Sequence, residues 1–434
     1  MRYLFIPATL IGLLLSPSTQ AMDVLTVYQQ AVNSDPILRS AQLQTEVSEA
    51  QRGQAGGALL PQINANINLS LNQQSATLGT DDYNGQSYTV GLTQSIIDVA
   101  KILNWQRHQT IVDQYQASQE DAQQELMHKV IERYFKILEA SDSLVLIQQE
   151  RQSTTSQLEQ AHKQFQKQRI KITDVYELEA KQDLLSAEEI GAQAQLDSVH
   201  QQLFELTGET VIVDYRLQNT LNLDRLEGEI EDWVTQALVM HPGLIAQTHA
   251  VKAAEEQVWQ QHAQHLPVVE GQLNYYNTNT GFQNAQRPVI DTQVAALNIR
   301  IPLFAGGATM QGGNEASRKL DIAKQQQIAL QRTVSMETRD AFLNCNAGSH
   351  RIRATEKALL SSLKAREAME KGFTYGMHTV GDVLISQDRE FRAQRDLLVA
   401  KYDYIKYYAR FARSTGVLND AFLIEINKWL ISQP

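Results

Sequence analysis

The sequence predicts a mixed α and β membrane protein: a β-barrel that only several copies of the chain can complete, attached to long helical hairpins of coiled-coil character. Three observations carry this reading. Landmark residues in the first half recur about 207 residues later, each half holds a pair of strictly alternating strands, and long stretches without glycine or proline fill most of the remainder.

The repeat sets the architecture. Pro36 in NSDPIL is matched by Pro242 in VMHPGL, and Pro61 in LLPQINANI by Pro267 in HLPVVEGQL. IID ending at Asp98 matches LFA ending at Ala305, Asp174 in ITDV matches Asp382 in VGDV, and Gly208 in ELTG matches Gly416 in RSTG. A chain of 434 residues could hold two or three ordinary domains, but a shared offset argues for one unit built twice. Each copy reads as helix, strand pair, long helical stretch and glycine.

Residues 1–21 have the form of a secretory signal: Arg2, an apolar run from Leu4 to Leu15, then small residues with Thr19 and Ala21 three and one before the expected cut. Met22 would then come first, and with no cysteine there, lipid modification is not expected. After residue 21 no continuous apolar run reaches the ~18 residues of a membrane-spanning helix. Cys345 is the only cysteine, so no disulfide can form within the chain. The net charge of −11, with no basic block, argues against nucleic acid as a partner.

The first strand pair is expected at 62–72 and 87–96. From Ile63 to Asn72 every odd position is apolar and every even one polar, a period of two. Tyr88, Val90 and Leu92 continue the pattern in the second strand, and the polar residues 73–86 read as a loop by composition. The second pair is expected at 268–277 and 293–302, with residues 277–292 as the intervening loop. Ten-residue strands with one apolar face suit a membrane-spanning barrel. Four cannot close one, since ~8 is the practical minimum, and open edges cannot face lipid. Other copies of the chain must complete it. Tyr83, Tyr88, Tyr275, Tyr276 and Phe282 fall where an interfacial aromatic girdle would lie.

The helices follow from composition and periodicity. Leu92 to Ile190 contains neither glycine nor proline, and Ile131, Phe135, Leu138 and Val145 make a narrow apolar stripe of coiled-coil type. Asp98 to about Lys167 would reach on the order of 100 Å if straight. Residues 314–347 and 382–415 are similarly uninterrupted. The chain should reverse near 167–174 in the first copy and near 373–382 in the second. Thr173 and Asp174 suit a helix cap, and in a symmetric assembly an aspartate at such a tip would form a ring that sets pore charge.

The order and spacing of VYQQAVNSDPILRSA (27–41), LLPQ (59–62), LTQSIID (92–98), ERYFKIL (132–138), ITDV (172–175), LPVVEG (266–271), IPLFAGG (301–307) and GDVLISQ (381–387) resemble the TolC-like outer membrane efflux protein family. The resemblance covers essentially the whole mature chain. It implies a homotrimer whose twelve-stranded β-barrel, four strands per chain, sits in outer-membrane lipid and continues into a periplasmic α-helical barrel. It also implies a passive exit duct for drugs, other small molecules or secreted proteins. An inner-membrane pump of RND, MFS or ABC type would drive export through a periplasmic adaptor (membrane fusion) protein. The alternative is a soluble periplasmic coiled-coil scaffold without a pore, against which the alternation of residues 63–72 argues.

By the same resemblance the periplasmic gate would comprise Thr173, Asp174, Phe373, His378 and Asp382. Phe373 stands where a tyrosine is usual, His378 where an arginine is usual, and Ile385 where a second aspartate is usual. The gate should therefore be less ionic than in the type member. The adaptor-contacting tips would be Gly376 and Met377 in the second copy and Gln168 and Arg169 in the first.

The expected division is a signal peptide 1–21, a first repeat 22–207, a linker or equatorial segment 208–232, a second repeat 233–416 and a C-terminal equatorial segment 417–434. No catalytic residue, cofactor or metal is expected. His262 and His265 have the wrong spacing for zinc, Glu188-Glu189 and Asp81-Asp82 read as solvated charges, and no phosphate loop or nucleophile elbow is present.

Overall fold

The structure, a computed structural model, describes residues 22–76, 79–218 and 225–432. The proposed signal peptide lies outside the described residues. Helices α1 (Val24–Ser34) and α2 (Pro36–Gly57) lead into strands β1 (Gln62–Ala76) and β2 (Gly79–Ile97), then the long α3 (Val99–Gln166) and α4 (Ile172–Thr207). A short strand β3 (Tyr215–Leu217) separates this series from a second one. That series comprises α5 (Ile230–Met240), α6 (Pro242–Ala263), β4 (Val268–Thr280), β5 (Gln286–Arg300), α7 (Ala308–Thr374) and α8 (Val380–Ser414). Helix α9 (Asp420–Asn427) and strand β6 (Leu430–Ser432) close the chain, with β6 pairing β3.

Local chemistry starts and stops these elements. Asp23, Asp35 and Asp98 cap α1, α2 and α3, each accepting a hydrogen bond from a free backbone N–H of the first turn. Pro36 and Pro242 stand at first helical positions, where a missing N–H costs nothing. Gly208 ends α4 with a φ of 68°, a conformation glycine adopts without a Cβ clash. Helix α3 is 68 residues long, about 100 Å at ~1.5 Å per residue. Helix α7, with 67 residues, runs through Gly312, Gly313, Gly348 and Gly372, so the glycine-free window 314–347 is only its middle. At Gly348 the small residue admits the ring of Tyr404 from α8.

The strands form one antiparallel sheet in the order β1-β2-β4-β5, so the two copies meet at β2 and β4. They run further than 62–72, 87–96 and 268–277. Asn72 pairs Tyr83, Gln74 pairs Asp81, and Thr280 pairs Gln286 after an irregularity. Most of the residues read as loops are therefore strand. Continuous cross-strand backbone pairing outweighs the poor strand propensity of their Asp, Asn and Gly side chains.

In-register rows place side chains on two distinct faces. Ile63, Leu92, Leu273 and Ala295 form one row, followed by Ala65, Val90, Tyr275 and Gln293. The opposite face carries Asn64, Gly91, Asn274 and Val294, then Asn66, Thr89, Tyr276 and Thr292. The apolar face is bare in the single chain: Ile63 is 70% exposed, Leu69 72% and Leu71 89%. Ile63 to Leu71 spans about 27 Å at ~3.4 Å per residue. The expected girdle splits, because neighbours in a strand point opposite ways. Tyr88 and Tyr275 share the apolar face, whereas Tyr83 and Tyr276 share the polar one.

The core lies at mid-height of the helices, where α1, α3, α4, α8 and α9 converge. Ile131, Tyr134, Phe135, Leu203, Tyr402, Ile405, Leu423 and Ile426 are fully or almost fully buried there. Outside this girdle each helix buries only a thin seam. Val145, expected on the α3 stripe, is 47% exposed, while Leu144, Leu146 and Ile147 are buried. A heptad falls short of two full turns by about 20°, so the seam drifts off strict sevenfold spacing. No helix among the described residues is long and apolar enough to cross a membrane.

Candidate functional site at the hairpin tips

The two hairpins, α3–α4 and α7–α8, reverse through turns of the same backbone geometry built from different residues. In the first, the Gln168 N–H donates to the Phe165 carbonyl at 2.8 Å and the Arg169 N–H to that of Gln164 at 3.0 Å. In the second, the Gly376 N–H donates to Phe373 at 2.9 Å and the Met377 N–H to Gly372 at 2.9 Å. Both are helix-terminating turns with one left-handed residue, Gln168 at φ 56° and Gly376 at φ 72°.

The next helices start alike. Asp174 accepts from the Lys171 N–H at 3.1 Å, and Asp382 from the Thr379 N–H at 2.9 Å. Only the second tip has a reciprocal cap. The Thr379 hydroxyl donates to Asp382 and accepts from its backbone N–H. The Thr379 backbone bond and then its hydroxyl bond hold the Asp382 carboxyl below the usual carboxylate range, with a smaller pull from His378. His378 Nδ1 stands 4.0 Å from Asp382 Oδ2.

Phe373 faces the other hairpin. With Ile170, Leu178, Val380 and Val383 it lines a cavity of about 380 Å³ between the two tips. Thr173 is exposed, Gly376 and Met377 project from the turn, and Gln168 and Arg169 do so at the other tip. Among the described residues no hydrogen bond or ion pair joins Thr173 or Asp174 to Phe373, His378 or Asp382. The chain thus brings His378 and Asp382 together, without a polar contact from the first-copy pair. Ile385 is exposed one turn beyond Asp382.

The polar tie between the hairpins lies deeper, and apart from Glu188, read from the sequence as a solvated charge, its residues were not singled out there. Lys181 Nζ on α4 is 2.8 Å from Glu150 on α3 and 3.1 Å from Asp388 on α8. Burial works against the Lys181 charge, but the bonds to Glu150 and Asp388 prevail and raise its pKa above the ordinary value. Arg395 of α8 approaches Glu188 of α4 at 3.7 Å, while Arg366 contacts Glu390 and holds Glu370 at 2.8 Å within the second hairpin. The repeat itself offered a signal: Lys181 and Asp388 are opposite charges 207 residues apart, hence at one height in paired hairpins. Among the described residues no cluster of His, Cys, Asp and Glu could hold a metal ion.

Residues 27–209 and 233–417 match the family described as outer membrane efflux protein. The chain is similar to the outer membrane protein TolC of Vibrio cholerae, 27% identical over 96% of this chain and 95% of that protein. It is also similar to the alkaline protease secretion protein AprF of Pseudomonas aeruginosa, 26% identical over 95% of this chain and 88% of that one. In fold it is similar to the Campylobacter jejuni CmeC outer membrane channel, with a TM-score of 0.80, 15% identity, and coverage of 99% and 98% of the two chains.

Proposed function

The chain belongs to the outer membrane efflux protein family, and on that premise we propose that three copies join into one duct whose hairpin tips form its periplasmic gate. The protein resides in the outer membrane with its helical part in the periplasm, and acts as an exit duct for exported molecules. The family is one of channels rather than enzymes.

One observation supports the multimeric duct above others. The sheet has a bare apolar face, a polar face, and outer strands β1 and β5 whose free edges have no partner among the described residues. Open edges cannot remain in hydrocarbon, where unpaired backbone groups cost several kcal/mol each. Pairing β5 of one copy with β1 of the next removes every edge, and three copies of the four-stranded sheet give twelve strands. The apolar face then meets lipid and the polar face lines the pore. The same chain as a soluble scaffold would leave Leu69 and Leu71 in water.

Gating falls to Thr173, Asp174, Phe373, His378 and Asp382. Since Thr173 and Asp174 find no partner in the second copy of their own chain, their contacts are assigned to the neighbouring copy. Gly376, Met377, Gln168 and Arg169 are assigned to a periplasmic adaptor that couples the duct to an inner-membrane pump. Resemblance to a protease secretion protein supports protein cargo, and family membership supports small-molecule efflux.

Outer-membrane fractionation with heat-modifiable migration of a trimer-sized band tests the assembly, and a freely soluble monomer would refute it. Planar-bilayer conductance tests the gate. Conductance should change in Asp382→Ala and in His378→Ala. A conductance unaltered in both variants would remove His378 and Asp382 from the gate. A deletion strain assayed for drug susceptibility and for protein secretion identifies the cargo.

A further inference from the structure

We propose that Arg300 forms a cationic ring at the base of the barrel lumen and sets the duct's charge preference there, an inference that rests on the three-copy reading above. The polar face of the sheet is almost free of charge. Asn64, Asn66 and Asn68 in β1 stand level with Thr89 and its neighbours in β2, followed by Gln272 and Asn274 in β4. Between Asp81 near the outer turn and the helices, the only charged residues on this face among the described strand residues are Glu270 and Arg300. Both lie at the helical end.

The two are not equivalent. Glu270 is answered by Lys101 at the start of α3, whose Nζ is 4.0 Å from it, 3.7 Å from Asp98 and 2.6 Å from the Ser95 hydroxyl. Asp98 in turn is spent on capping α3. Lys101 thus answers both Glu270 and Asp98, a cluster that keeps one net negative charge on carboxylates whose side chains are only 28% and 10% exposed. Arg300 ends β5, is exposed, and lies opposite the neutral Val268. Among the described residues no ion pair or hydrogen bond engages its guanidinium.

Closure would bring three such groups to the level where barrel and helices join. A low-dielectric wall focuses the field of charges that line a pore, and a ring of like charge selects the opposite sign. The neutral amides and hydroxyls beyond it exert no opposing preference. The exposed guanidinium ring thus favours anionic solutes and acidic stretches of cargo over the less exposed carboxylates of the Lys101 cluster, the reverse of an Asp382 ring at the tip.

The purified full-length protein in planar bilayers under a KCl gradient provides the test, read as the chloride-to-potassium permeability ratio from the reversal potential. Arg300→Gln should lower that ratio by at least about twofold, Arg300→Lys should preserve it, and Glu270→Gln should raise it. Channels of Arg300→Gln with the wild-type ratio would overturn the proposal. Should that variant form no channels, Arg300→Cys decides: a cationic methanethiosulfonate should raise the ratio above that given by an anionic one, and equal ratios after both would overturn the proposal. Absence of any channel in the wild-type protein would instead refute the duct itself, so the two failures are distinct.

Discussion

The imidazole of His378 rests against the bare Cα of Gly372, so that the turn after α7 folds back on the last turn of that helix. A Cβ at 372 would fall inside contact distance of the ring. The same packing keeps Nδ1 facing Asp382. Gly372→Ala gains helix propensity of ~1 kcal/mol and meets an overpacking cost of ~1–3 kcal/mol. Stability should change little, and the ring should leave Asp382. The expected readout is a melting temperature shifted by only a few degrees, together with a conductance altered in the same direction as by His378→Ala.

Lys181 is the hinge pin between hairpins. Its removal in Lys181→Met would leave Glu150, 4% exposed, without a cation. The expected cost is about 2–3 kcal/mol, less than the ~3–5 of a fully buried pair because the Lys181 side chain retains some solvent contact. Adding Glu150→Gln should recover most of it. Thermal unfolding of the detergent-solubilised single and double variants measures the coupling, and additive losses would show the pair to be inert.

His241 caps α6 where Asp35 caps α2. Its Nδ1 accepts from the Gly243 N–H at 3.1 Å, and its Nε2 meets Arg413 Nη1 at 3.1 Å, with Arg413 also held by Asp121 at 2.7 Å and near Glu125 at 3.5 Å. Burial first, then Arg413, lowers the pKa of His241 below its ordinary 6.5, against an opposing pull from Asp121. For a histidine depressed in the folded state, the stabilising neutral form contributes fully above that ordinary value. The contribution is lost as pH falls below it toward the folded pKa. The melting temperature should therefore drop between pH 6.5 and 5, with a cap worth ~1 kcal/mol at stake, and His241→Asn should flatten that slope. Equal slopes in both proteins would exclude His241 as the titrating group.

The sequence disclosed the turns better than the strands. Alternation located β1 up to Asn72 but not its last residues, because Gln73, Gln74 and the facing Asp81 and Asp82 carry no apolar side chain to mark a face. Backbone pairing needs none. The helix ends were legible from Asp98, Pro242 and Gly208, whose chemistry is local. Lys181–Asp388 was missed, since its signal, opposite charges at the repeat offset of 207 residues, shows only when the two copies are compared position by position. The candidate gate was legible only as positions; among the described residues no hydrogen bond or ion pair joins its first-copy and second-copy members.

Gln168 pays a conformational cost that Gly376 avoids at the equivalent point of the other tip. A side chain in the left-handed region costs ~1–2 kcal/mol unless its polar end finds a local bond. Gln168→Gly should raise stability by about 0.5–1 kcal/mol, and Gly376→Ala should lower it by ~1 kcal/mol. Denaturant midpoints of the two variants should move in opposite directions; movement in the same direction would mean that the tips relax independently of this backbone.

In the three-copy ring proposed above, the free edges of β1 and β5 make every copy the neighbour of two others, and that geometry dictates how damage is inherited. With three copies to a ring, a cell producing intact and edge-damaged chains in equal amounts would leave roughly one ring in eight wholly intact. A proline in β1 that blocks pairing but spares the helices should thus poison export even beside a normal gene. An allele that yields no chain should be recessive.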